Sequence, residues 1–579
     1  MDAAILPCSR PRALIGAAAA SLGVAVILLA TSPLAPMVWD EGDAIARAAR
    51  IPDAWHYAVT REGHPALYGW LIAAGRAAAP RWMSPLAAAR LGPILLLAIA
   101  AGAMYYRMAR QWTLVAAAGA VGALVLMPRL FAHAHFASLD GPLVSCWILA
   151  WATMPVSAPL APSMAPRGRR SDQGGWAAEA SGAANQPVSV SWPETIGRIL
   201  LFALALGMTF SAKATGWLLP IAVAAWAAAY RDRRALGALL LAVPLAVLVF
   251  VALNPPIWAQ PIGGLLRFWE LNLNRGANPG LNISTQFLGR MYNLDHPLPW
   301  YNTLFWTAVT VPVGLLALAL VGGISAIRFR RDDPAGMLLV ANWLVLVVVR
   351  ALPGTPPHDA ERLFLPSFAF LAALAGLGSH CAVQWTGQAC RARPARRTVA
   401  AAIVLAYLGA ATSVVWYAPQ WLSYYNLLIG GLRGAERLGM EPTYYWDGLD
   451  RETIAWLNTH TAEGEKIAFG TCSRDNLRWL QTWGILRHPT HPDAPGRYRW
   501  YVFQRRPSGY LPEDRWLMAH ARPVFIKMIR SVGWGPWQLD VPLVEVYDYA
   551  DYLRAKQRIA GDSASGSRQS DSGLSGAHR

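Results

Sequence analysis

The feature that most constrains this chain is a series of long apolar stretches that recurs from the N-terminus to about residue 416. About 20 consecutive apolar residues are enough for a helix to cross the hydrocarbon core of a bilayer. About eleven stretches reach or approach that length. They lie at residues 13–30, 88–106, 112–127, 138–154, 196–210, 214–230, 235–253, 304–327, 335–350, 361–379 and 398–416. The sequence therefore predicts an all-α, polytopic membrane bundle over residues 1–416.

Composition agrees with a membrane bundle that carries some soluble mass. Of the 579 residues, 55% are hydrophobic and 15% are charged, against about 25% charged in an average soluble protein. A formal net charge of +17 can indicate nucleic-acid binding, but here the cations are mostly arginines in short clusters between apolar stretches. We interpret the clusters as topology signals and expect no nucleic-acid partner.

The arginine clusters occupy every second connection between apolar stretches. They lie at residues 10–12, 107–110, 167–170, 231–234, 328–331 and 391–397. Cytoplasmic loops are enriched in Lys and Arg, so the N-terminus is predicted to be cytoplasmic. The loops at about 31–87, 128–137, 254–303 and 351–360 then face the other side. An odd number of spans sends the C-terminal part of the chain to that side as well.

Residues 417–560 differ in composition from the bundle and are rich in aromatic side chains. A helical pattern at 451–460 followed by a strand-like pattern at 466–470 predicts a small external mixed α/β domain. Two polar segments rich in small residues, 156–193 on the cytoplasmic side and the tail 561–579, are predicted to be disordered. Aromatic side chains that suit contacts with a sugar or a lipid headgroup are Tyr444, Tyr445, Trp446, Trp500 and Tyr501.

The candidate catalytic residues are carboxylates at the membrane edge, on the predicted external face. Asp40 and Glu41 follow the first apolar stretch closely, within the first external loop, and Asp140 lies at the start of the fourth stretch. Carboxylates are costly to desolvate at such an edge and suit a general base or a metal ligand there. For the acidic pair, the alternative is a solvated loop start with helix-capping residues.

Two cations lie on the same predicted face. Lys213 is the only lysine in the first 465 residues and occupies a short turn between two stretches. Arg362 begins a stretch on the side opposite the arginine clusters, so the positive-inside rule does not explain it. Either cation could bind a phosphate. The alternatives are snorkelling of Lys213 to lipid headgroups and a salt bridge from Arg362 to Asp359 or Glu361.

Cofactor motifs are sparse. His133 and His135 have side chains that can bind a metal. Alternating histidines in a loop are also common at protein surfaces, so the sequence leaves open whether the protein uses a divalent cation. The sequence contains no GxxxxGK[ST] loop, Gly-rich dinucleotide fingerprint, CxxC pair or HExxH motif. Their absence argues against ATP-driven, nicotinamide-dependent and zinc-protease chemistry.

Taken in order, these motifs resemble those of the polyprenyl-phosphate-sugar-dependent GT-C glycosyltransferases. The resemblance is to the branch of the protein O-mannosyltransferases and the lipid A aminoarabinose transferases, in particular to bacterial members with an external C-terminal domain. It covers roughly residues 30–420. Its motifs are the Asp40-Glu41 pair, His64-Pro65, Asp140, the Lys213-Ala214-Thr215-Gly216 turn, Asn254-Pro255, and Arg362 with Leu365-Pro366.

The resemblance implies a GT-C type bundle and assigns roles to several residues. Asp40 falls on the catalytic aspartate with Glu41 beside it, and Asp140 matches the second acidic position. Lys213 and Arg362 resemble the cations that hold the lipid phosphate. The further candidates for substrate binding are His64, His358 and Asp359.

The implied activity is transfer of a hexosyl or pentosyl group from a polyprenyl-phosphate donor to a hydroxyl acceptor, with inversion by a single displacement. The acceptor would be a lipid, a glycan or a protein, and the absence of a recognisable trefoil insertion puts a protein acceptor in doubt. The implied location is a bacterial inner membrane. The alternative is a transporter or lipid flippase, for which the sequence shows no convincing internal repeat.

Overall fold

The computed structural model of the protein describes residues 8–51, 53, 58–156, 192–277, 282–389, 393–529 and 540–573. This part of the chain is mostly helical. Seven of its helical segments are long and apolar enough to cross a membrane. They are Arg10–Thr31, Pro85–Gln111, Glu194–Ala212, Arg233–Leu253, Pro334–Ala351, Ala360–Thr386 and Pro394–Trp416. These helices agree with the multi-pass membrane bundle that the sequence predicts.

The remaining predicted spans also coincide with helices, but with shorter ones. Three are apolar helices at Leu114–Leu126, Ala214–Ala229 and Val313–Arg328, and the fourth is the buried helix Asp140–Thr153. The number of eleven spans therefore stays a prediction. One predicted span, 304–327, is not a single helix, because Asn302–Thr310 ends before Pro312 and Val313–Arg328 begins after it. Proline has no N–H to continue a helix.

Several shorter elements connect the long helices. The first loop contains the helices Glu41–Ala48 and Leu67–Ala78. Two short strands, β1 (Thr285–Phe287) and β2 (Arg290–Tyr292), form an antiparallel hairpin. Further helices are Pro128–His133, Pro261–Leu273 and Gly431–Arg437.

A four-stranded mixed sheet lies within the segment for which the sequence predicts an α/β domain. Its strands are β3 (Glu465–Phe469), β4 (Arg497–Gln504), β5 (Phe525–Ile529) and β6 (Val541–Asp548). The strand order is β3-β4-β6-β5, with β3 and β4 parallel and the other pairs antiparallel. Helices Arg451–His460, Arg474–Thr482, Pro512–His520 and Tyr549–Gly573 flank or follow these strands.

The last helix overlaps one of the two segments that the sequence predicts to be disordered. Tyr549–Gly573 extends past residue 561 into the tail for which the sequence predicts disorder. No proline interrupts this stretch, so the chain can stay helical there. Residues 574–579, and nearly all of the predicted cytoplasmic loop 156–193, lie outside the described residues.

Candidate active site

A cavity of about 550 Å³ lies where the first loop, several helix ends and the C-terminal segment meet. Residues from distant parts of the sequence line it, which is why only the folded chain forms it. Its aromatic lining comes from Trp39, Tyr445 and Trp446. Its charged lining side chains are Asp40, Lys213, Arg275, Arg350, Asp359 and Arg362.

Arg362 connects the carboxylates of this cavity. Its Nε donates to Oδ2 of Asp140 at 2.6 Å and its Nη1 donates to Oδ2 of Asp359 at 2.7 Å. Nη2 donates to Oδ2 of Asp40. The guanidinium also lies over the ring of Tyr445, 4.2 Å from its centroid. All three nitrogens of the fork are thus occupied, and the planar group is held in one orientation.

The backbone beside Arg362 is unusual. Asp359 and Ala360 have φ values of 63° and 49°, in the left-handed region that residues other than glycine rarely adopt. They introduce the short 3₁₀ helix Ala360–Phe364, which carries Arg362. Left-handed residues of this kind cluster at functional sites, where the surrounding structure holds them.

Asp140 lies beneath the cavity and does not line it. Its side chain is fully buried at the first position of the helix Asp140–Thr153. Oδ1 accepts a hydrogen bond from Nζ of Lys213 at 2.7 Å, and Oδ2 accepts the one from Arg362. Because each oxygen is bound to a cation, the carboxylate holds the two cations side by side. The resemblance matches Asp140 to the second acidic position of the family, and its catalytic role stays a prediction.

Lys213 is presented by a turn that folds back on the preceding helix. It lies between the helix that ends at Ala212 and the 3₁₀ helix Ala214–Leu218. A Cβ atom at Gly216 would lie 2.2 Å from the carbonyl oxygen of Thr209. The glycine of the Lys-x-Thr-Gly motif is therefore required for this close approach.

Asp40 is the carboxylate of the acidic pair that faces the cavity. Its side chain is 29% exposed, and it precedes the helix Glu41–Ala48 without capping it through a side-chain hydrogen bond. Asp40 and Trp39 also line a second cavity of about 400 Å³, together with Asp43 and residues 472–475. The Asp40 carboxylate therefore lies between two cavities.

Glu41, the other residue of the acidic pair, has a different environment and lines neither cavity, and its catalytic role beside Asp40 stays a prediction. Its carboxylate is fully buried and accepts hydrogen bonds from Nε and Nη2 of Arg90 at 2.8 and 2.7 Å. The backbone N–H groups of Val38 and Ala137 also donate to it. Consecutive residues at a helix start point in different directions, so Glu41 faces the protein interior and holds the loop in place.

Two predicted substrate-binding histidines line the cavity in their neutral form. Nε2 of His64 lies 2.9 Å from Nη2 of Arg275, which can only donate, so this ring nitrogen accepts. Burial, reinforced by the charge of Arg275, lowers the pKa of His64 well below its ordinary value. Burial also lowers the pKa of His358 to about 4. At neutral pH both rings offer hydrogen bonds without charge.

Asp359, the third predicted substrate-binding residue, is ionised. Burial acts to raise its pKa, but His358, which is protonated in the acid range where Asp359 titrates, and the guanidinium groups of Arg362 and Arg506 outweigh burial and hold the pKa below its ordinary value. Asp359 is thus the third carboxylate beside Arg362, with Asp40 and Asp140, and its orientation is fixed by its ion pair with Arg362.

The two candidate metal ligands are not arranged around a common point. Nδ1 of His135 lies 2.7 Å from the carbonyl oxygen of Phe131, Nε2 lies 2.8 Å from Oγ1 of Thr31, and the ring stacks on Trp421. The ring of His133 packs near Tyr445, and its two nitrogens have no hydrogen-bond partner among the described residues. Among the residues that the structure describes, no three His, Cys, Asp or Glu side chains are placed to hold a metal ion.

The Asn254-Pro255 motif connects the first loop to a helix end through hydrogen bonds of the Asn254 side chain. Asn254 is fully buried, and its Oδ1 accepts a hydrogen bond from the backbone N–H of Ala66 at 2.8 Å. Its Nδ2 donates to the carbonyl oxygen of Phe250 at 2.6 Å. The side chain therefore ties the first loop, two residues after His64, to the end of the helix Arg233–Leu253.

Comparisons with known proteins give structural matches only. No family model matches the chain, and no curated protein matches it by sequence. ArnT from Cupriavidus metallidurans in the apo state has a TM-score of 0.46 and 14% identity, over 92% of this chain and 98% of that chain. ArnT bound to undecaprenyl phosphate has a TM-score of 0.44 and 13% identity over the same shares.

A second kind of protein also matches. The oligosaccharyltransferase AglB from Archaeoglobus fulgidus, in complex with an inhibitory peptide and a dolichol-phosphate, has a TM-score of 0.43 and 12% identity, over 84% of this chain and 69% of that chain. ArnT, a lipid A aminoarabinose transferase, and AglB are both GT-C glycosyltransferases. What the chain does has to be inferred from its own residues.

Sequence reasoning missed two cations of the cavity, Arg275 and Arg350. Arg275 lies in the predicted external loop 254–303, and Arg350 lies at the predicted external end of its helix, where Nη2 donates to the carbonyl oxygen of His358 at 3.4 Å. The signal that identified Arg362, an arginine on the face opposite the arginine clusters, applies to both of them and could have found them.

Of the five aromatic candidates, two line the cavity. Tyr445 and Trp446 do so, and Trp446 adopts a φ of 55°. The hydroxyl of Tyr444 donates instead to the buried Glu361. Trp500 and Tyr501 belong to β4 and bond within the sheet region, to the carbonyl oxygen of His460 and to Asp514. Which of these aromatic side chains reach the cavity depends on their burial and, in β4, on the alternation of side chains along the strand. Composition reveals neither.

Proposed function

We propose that this protein is a membrane glycosyltransferase that moves a sugar from a polyprenyl-phosphate donor to a hydroxyl acceptor, on the extracytoplasmic side of a bacterial inner membrane. One observation carries the proposal: the partly exposed carboxylate of Asp40 shares a single cavity with a cluster of cations. A sugar on a lipid phosphate is already activated. Its transfer needs a proton acceptor for the incoming hydroxyl and positive charge at the departing phosphate.

The charge of the cavity suits such a donor. Among the described residues, four cations and two carboxylates line it, and the buried Asp140 beneath them is a third carboxylate. With His64 and His358 neutral, one positive charge is left over. A polyprenyl-phosphate sugar is a phosphodiester with a single negative charge, so its binding would neutralise the site.

These positions support the following reaction. Asp40 accepts the proton of the acceptor hydroxyl while that oxygen forms a bond to the anomeric carbon of the sugar. The bond from the anomeric carbon to the phosphate oxygen breaks, and its electron pair leaves with the polyprenyl phosphate. The phosphate gains a second negative charge in this step, and Lys213 and Arg362 stabilise that charge where it develops. Displacement from the opposite face inverts the anomeric carbon.

The two cavities on either side of Asp40 support separate places for donor and acceptor. The larger one contains the cations and would hold the donor phosphate. The smaller one has Asp43, Ser473, Arg474 and Asp475 in its lining and would admit a polar acceptor, which is a lipid headgroup, a glycan or a protein. Asp140 would hold Lys213 and Arg362 in position through its ion pairs, and Asp359 would do the same for Arg362. In a transporter or flippase, the same residues would bind a substrate that is later released unchanged.

The test uses purified full-length protein with a panel of polyprenyl-phosphate sugars labelled in the sugar, plus a membrane extract as the source of acceptor. We expect one label to move from the donor to a new product and the unlabelled polyprenyl phosphate to be released in equal amount. The same protein in sealed liposomes tests the alternative. If the labelled lipid changes leaflet and is recovered chemically intact, with no product formed, the proposal is wrong and the transporter interpretation is correct.

A further inference from the structure

The loop that carries Asp40 is held from the side of the C-terminal segment by the side chain of Asn476. Asn476 lies in the first turn of the helix Arg474–Thr482 and is 5% exposed. Its Nδ2 donates to the carbonyl oxygen of Val38 at 2.8 Å, and its Oδ1 accepts from the backbone N–H of Gly42 at 2.8 Å. The two backbone groups lie two residues before and two residues after Asp40.

Neighbouring contacts reinforce this arrangement. Nε1 of Trp479 donates to the carbonyl oxygen of Gly42 at 3.0 Å, and the backbone N–H of Trp39 donates to the carbonyl oxygen of Tyr445 at 3.1 Å. A Cβ atom at Gly42 would lie 2.5 Å from both the backbone nitrogen and Oδ1 of Asn476. The close approach of helix and loop therefore requires glycine at position 42.

The opposite side of the same loop is held by Arg90. Besides its ion pair with Glu41, Arg90 donates to the carbonyl oxygens of Ser32, Ala35 and Pro36 at 2.8–3.0 Å. The backbone on both sides of Asp40 is thus fixed at the bundle by Arg90 and at the C-terminal segment by Asn476. Between these anchors, the Asp40 side chain faces the cavity.

We infer that Asn476 is a positioning residue, which sets the Asp40 carboxylate between the two cavities by bridging Val38 and Gly42. The inference rests on the proposed function, because it concerns the proton acceptor of that reaction. Asn476 makes these hydrogen bonds with backbone atoms of the loop and lines neither cavity. Its contribution is therefore to the geometry of Asp40, and misplacement of a reacting group by about 1 Å can cost about 10²-fold in rate.

The experiment compares Asn476→Ala and Asn476→Asp with a matched control, Asn458. Asn458 belongs to the helix Arg451–His460, and its amide makes the same pair of bonds, donating to the carbonyl oxygen of Ile485 at 2.8 Å and accepting from the backbone N–H of Arg487 at 2.9 Å. It lines neither cavity. Asn458→Ala thus loses a similar hydrogen-bonded bridge in the same part of the protein.

The first readout is transfer kinetics with the active labelled donor. Both Asn476 variants should lose about 10- to 100-fold in kcat with the donor KM changed by less than about twofold, the pattern of a lost transition-state interaction. Asn458→Ala should keep the kcat of the unmodified protein. If the Asn476 variants stay folded and turn over at the unmodified rate, or if Asn458→Ala loses as much kcat as they do, the inference is wrong.

The second readout is amide hydrogen exchange in the loop peptide 37–48, which needs no activity. In Asn476→Ala the Gly42 amide should exchange faster, whereas Asn476→Asp keeps the acceptor oxygen and should leave it protected. Unchanged exchange in Asn476→Ala would overturn the bridge itself. If the unmodified protein transferred no sugar, the proposed function would fail, and exchange would still decide whether Asn476 holds the loop. If Asn476→Ala failed to fold, the nearly isosteric Asn476→Asp would decide the kinetics.

Discussion

The guanidinium of Arg362 contacts the buried Asp140 through Nε at 2.6 Å and the partly exposed Asp40 through Nη2. The cation proposed to hold the donor phosphate therefore also contacts the proposed base. A phosphate oxygen that takes the Nη2 hydrogen bond would release the Asp40 carboxylate toward the acceptor. Such an exchange would couple donor binding to the freeing of the proposed base.

Arg362→Lys should weaken donor binding by at least about tenfold, because an ammonium cannot bond Asp140, Asp359 and a phosphate together as the planar guanidinium fork can. The measurement is binding of a labelled polyprenyl phosphate to the purified variant. Arg290→Lys is the control, since Arg290 is an exposed arginine of β2 outside the cavity and should bind the lipid normally. Equal affinity in both variants would remove Arg362 from the phosphate site.

Asp140→Asn should destabilise the protein, because it leaves Lys213 and Arg362 without their shared buried anion. Removing one partner of a buried ion pair typically costs about 3–5 kcal/mol. Thermal unfolding in detergent measures the loss, and added polyprenyl phosphate should restore part of the Tm by supplying an anion to the same cations. A variant as stable as the unmodified protein, or one that the lipid does not stabilise, would contradict this role of Asp140.

His133 should make the protein less stable in acid. Burial lowers the pKa of His133 to about 3, whereas an unfolded histidine titrates near 6.5. The unfolded chain therefore binds a proton that the folded chain does not bind. Stability should fall as the pH drops from about 6.5 toward 3, by up to about 1.4 kcal/mol per pH unit for this group.

Replacing the histidine isolates its share. In His133→Leu the Tm should decline less steeply between pH 6.5 and 4.5 than in the unmodified protein. His296→Leu serves as the control, because His296 is exposed and should leave the slope as it was. If the slope in His133→Leu is unchanged as well, His133 is not held neutral by burial.

The sidedness of the site can be tested with engineered cysteines. Arg478→Cys places a thiol on the exposed face of the helix Arg474–Thr482, and Arg330→Cys places one within an arginine cluster. If the clusters are cytoplasmic, a membrane-impermeant maleimide should label position 478 in intact cells and position 330 only after lysis. The reverse pattern would invert the topology and place Asp40 on the cytoplasmic side.

Much of the architecture follows from local sequence patterns. Apolar length predicts where the helices lie, and charge on the face opposite the arginine clusters selects Lys213 and Arg362, which the structure brings together around Asp140. His64, His358 and Asp359 line the same cavity as Asp40. These residues are identifiable because ionisable side chains at a membrane edge are costly and therefore sparse.

The remainder depends on packing between distant parts of the chain. Glu41 differs from Asp40 because it forms a buried ion pair with Arg90, which lies 49 residues further along the chain. No local sequence pattern distinguishes the two carboxylates. The contacts of Asn476 with Val38 and Gly42 span 438 and 434 residues. A single sequence does not indicate that the C-terminal segment forms part of the cavity wall and holds the loop of the proposed base.

The most direct test of the central claim is the turnover of Asp40→Asn with the active labelled donor. The amide keeps the shape of the side chain and removes the proton acceptor, and Asp295→Asn is the control, because Asp295 is an exposed aspartate of the 254–303 loop. We predict a loss of about 10²–10⁴-fold in kcat for Asp40→Asn, with folding and donor binding retained and the control unaffected. Near-normal turnover in folded Asp40→Asn would contradict it.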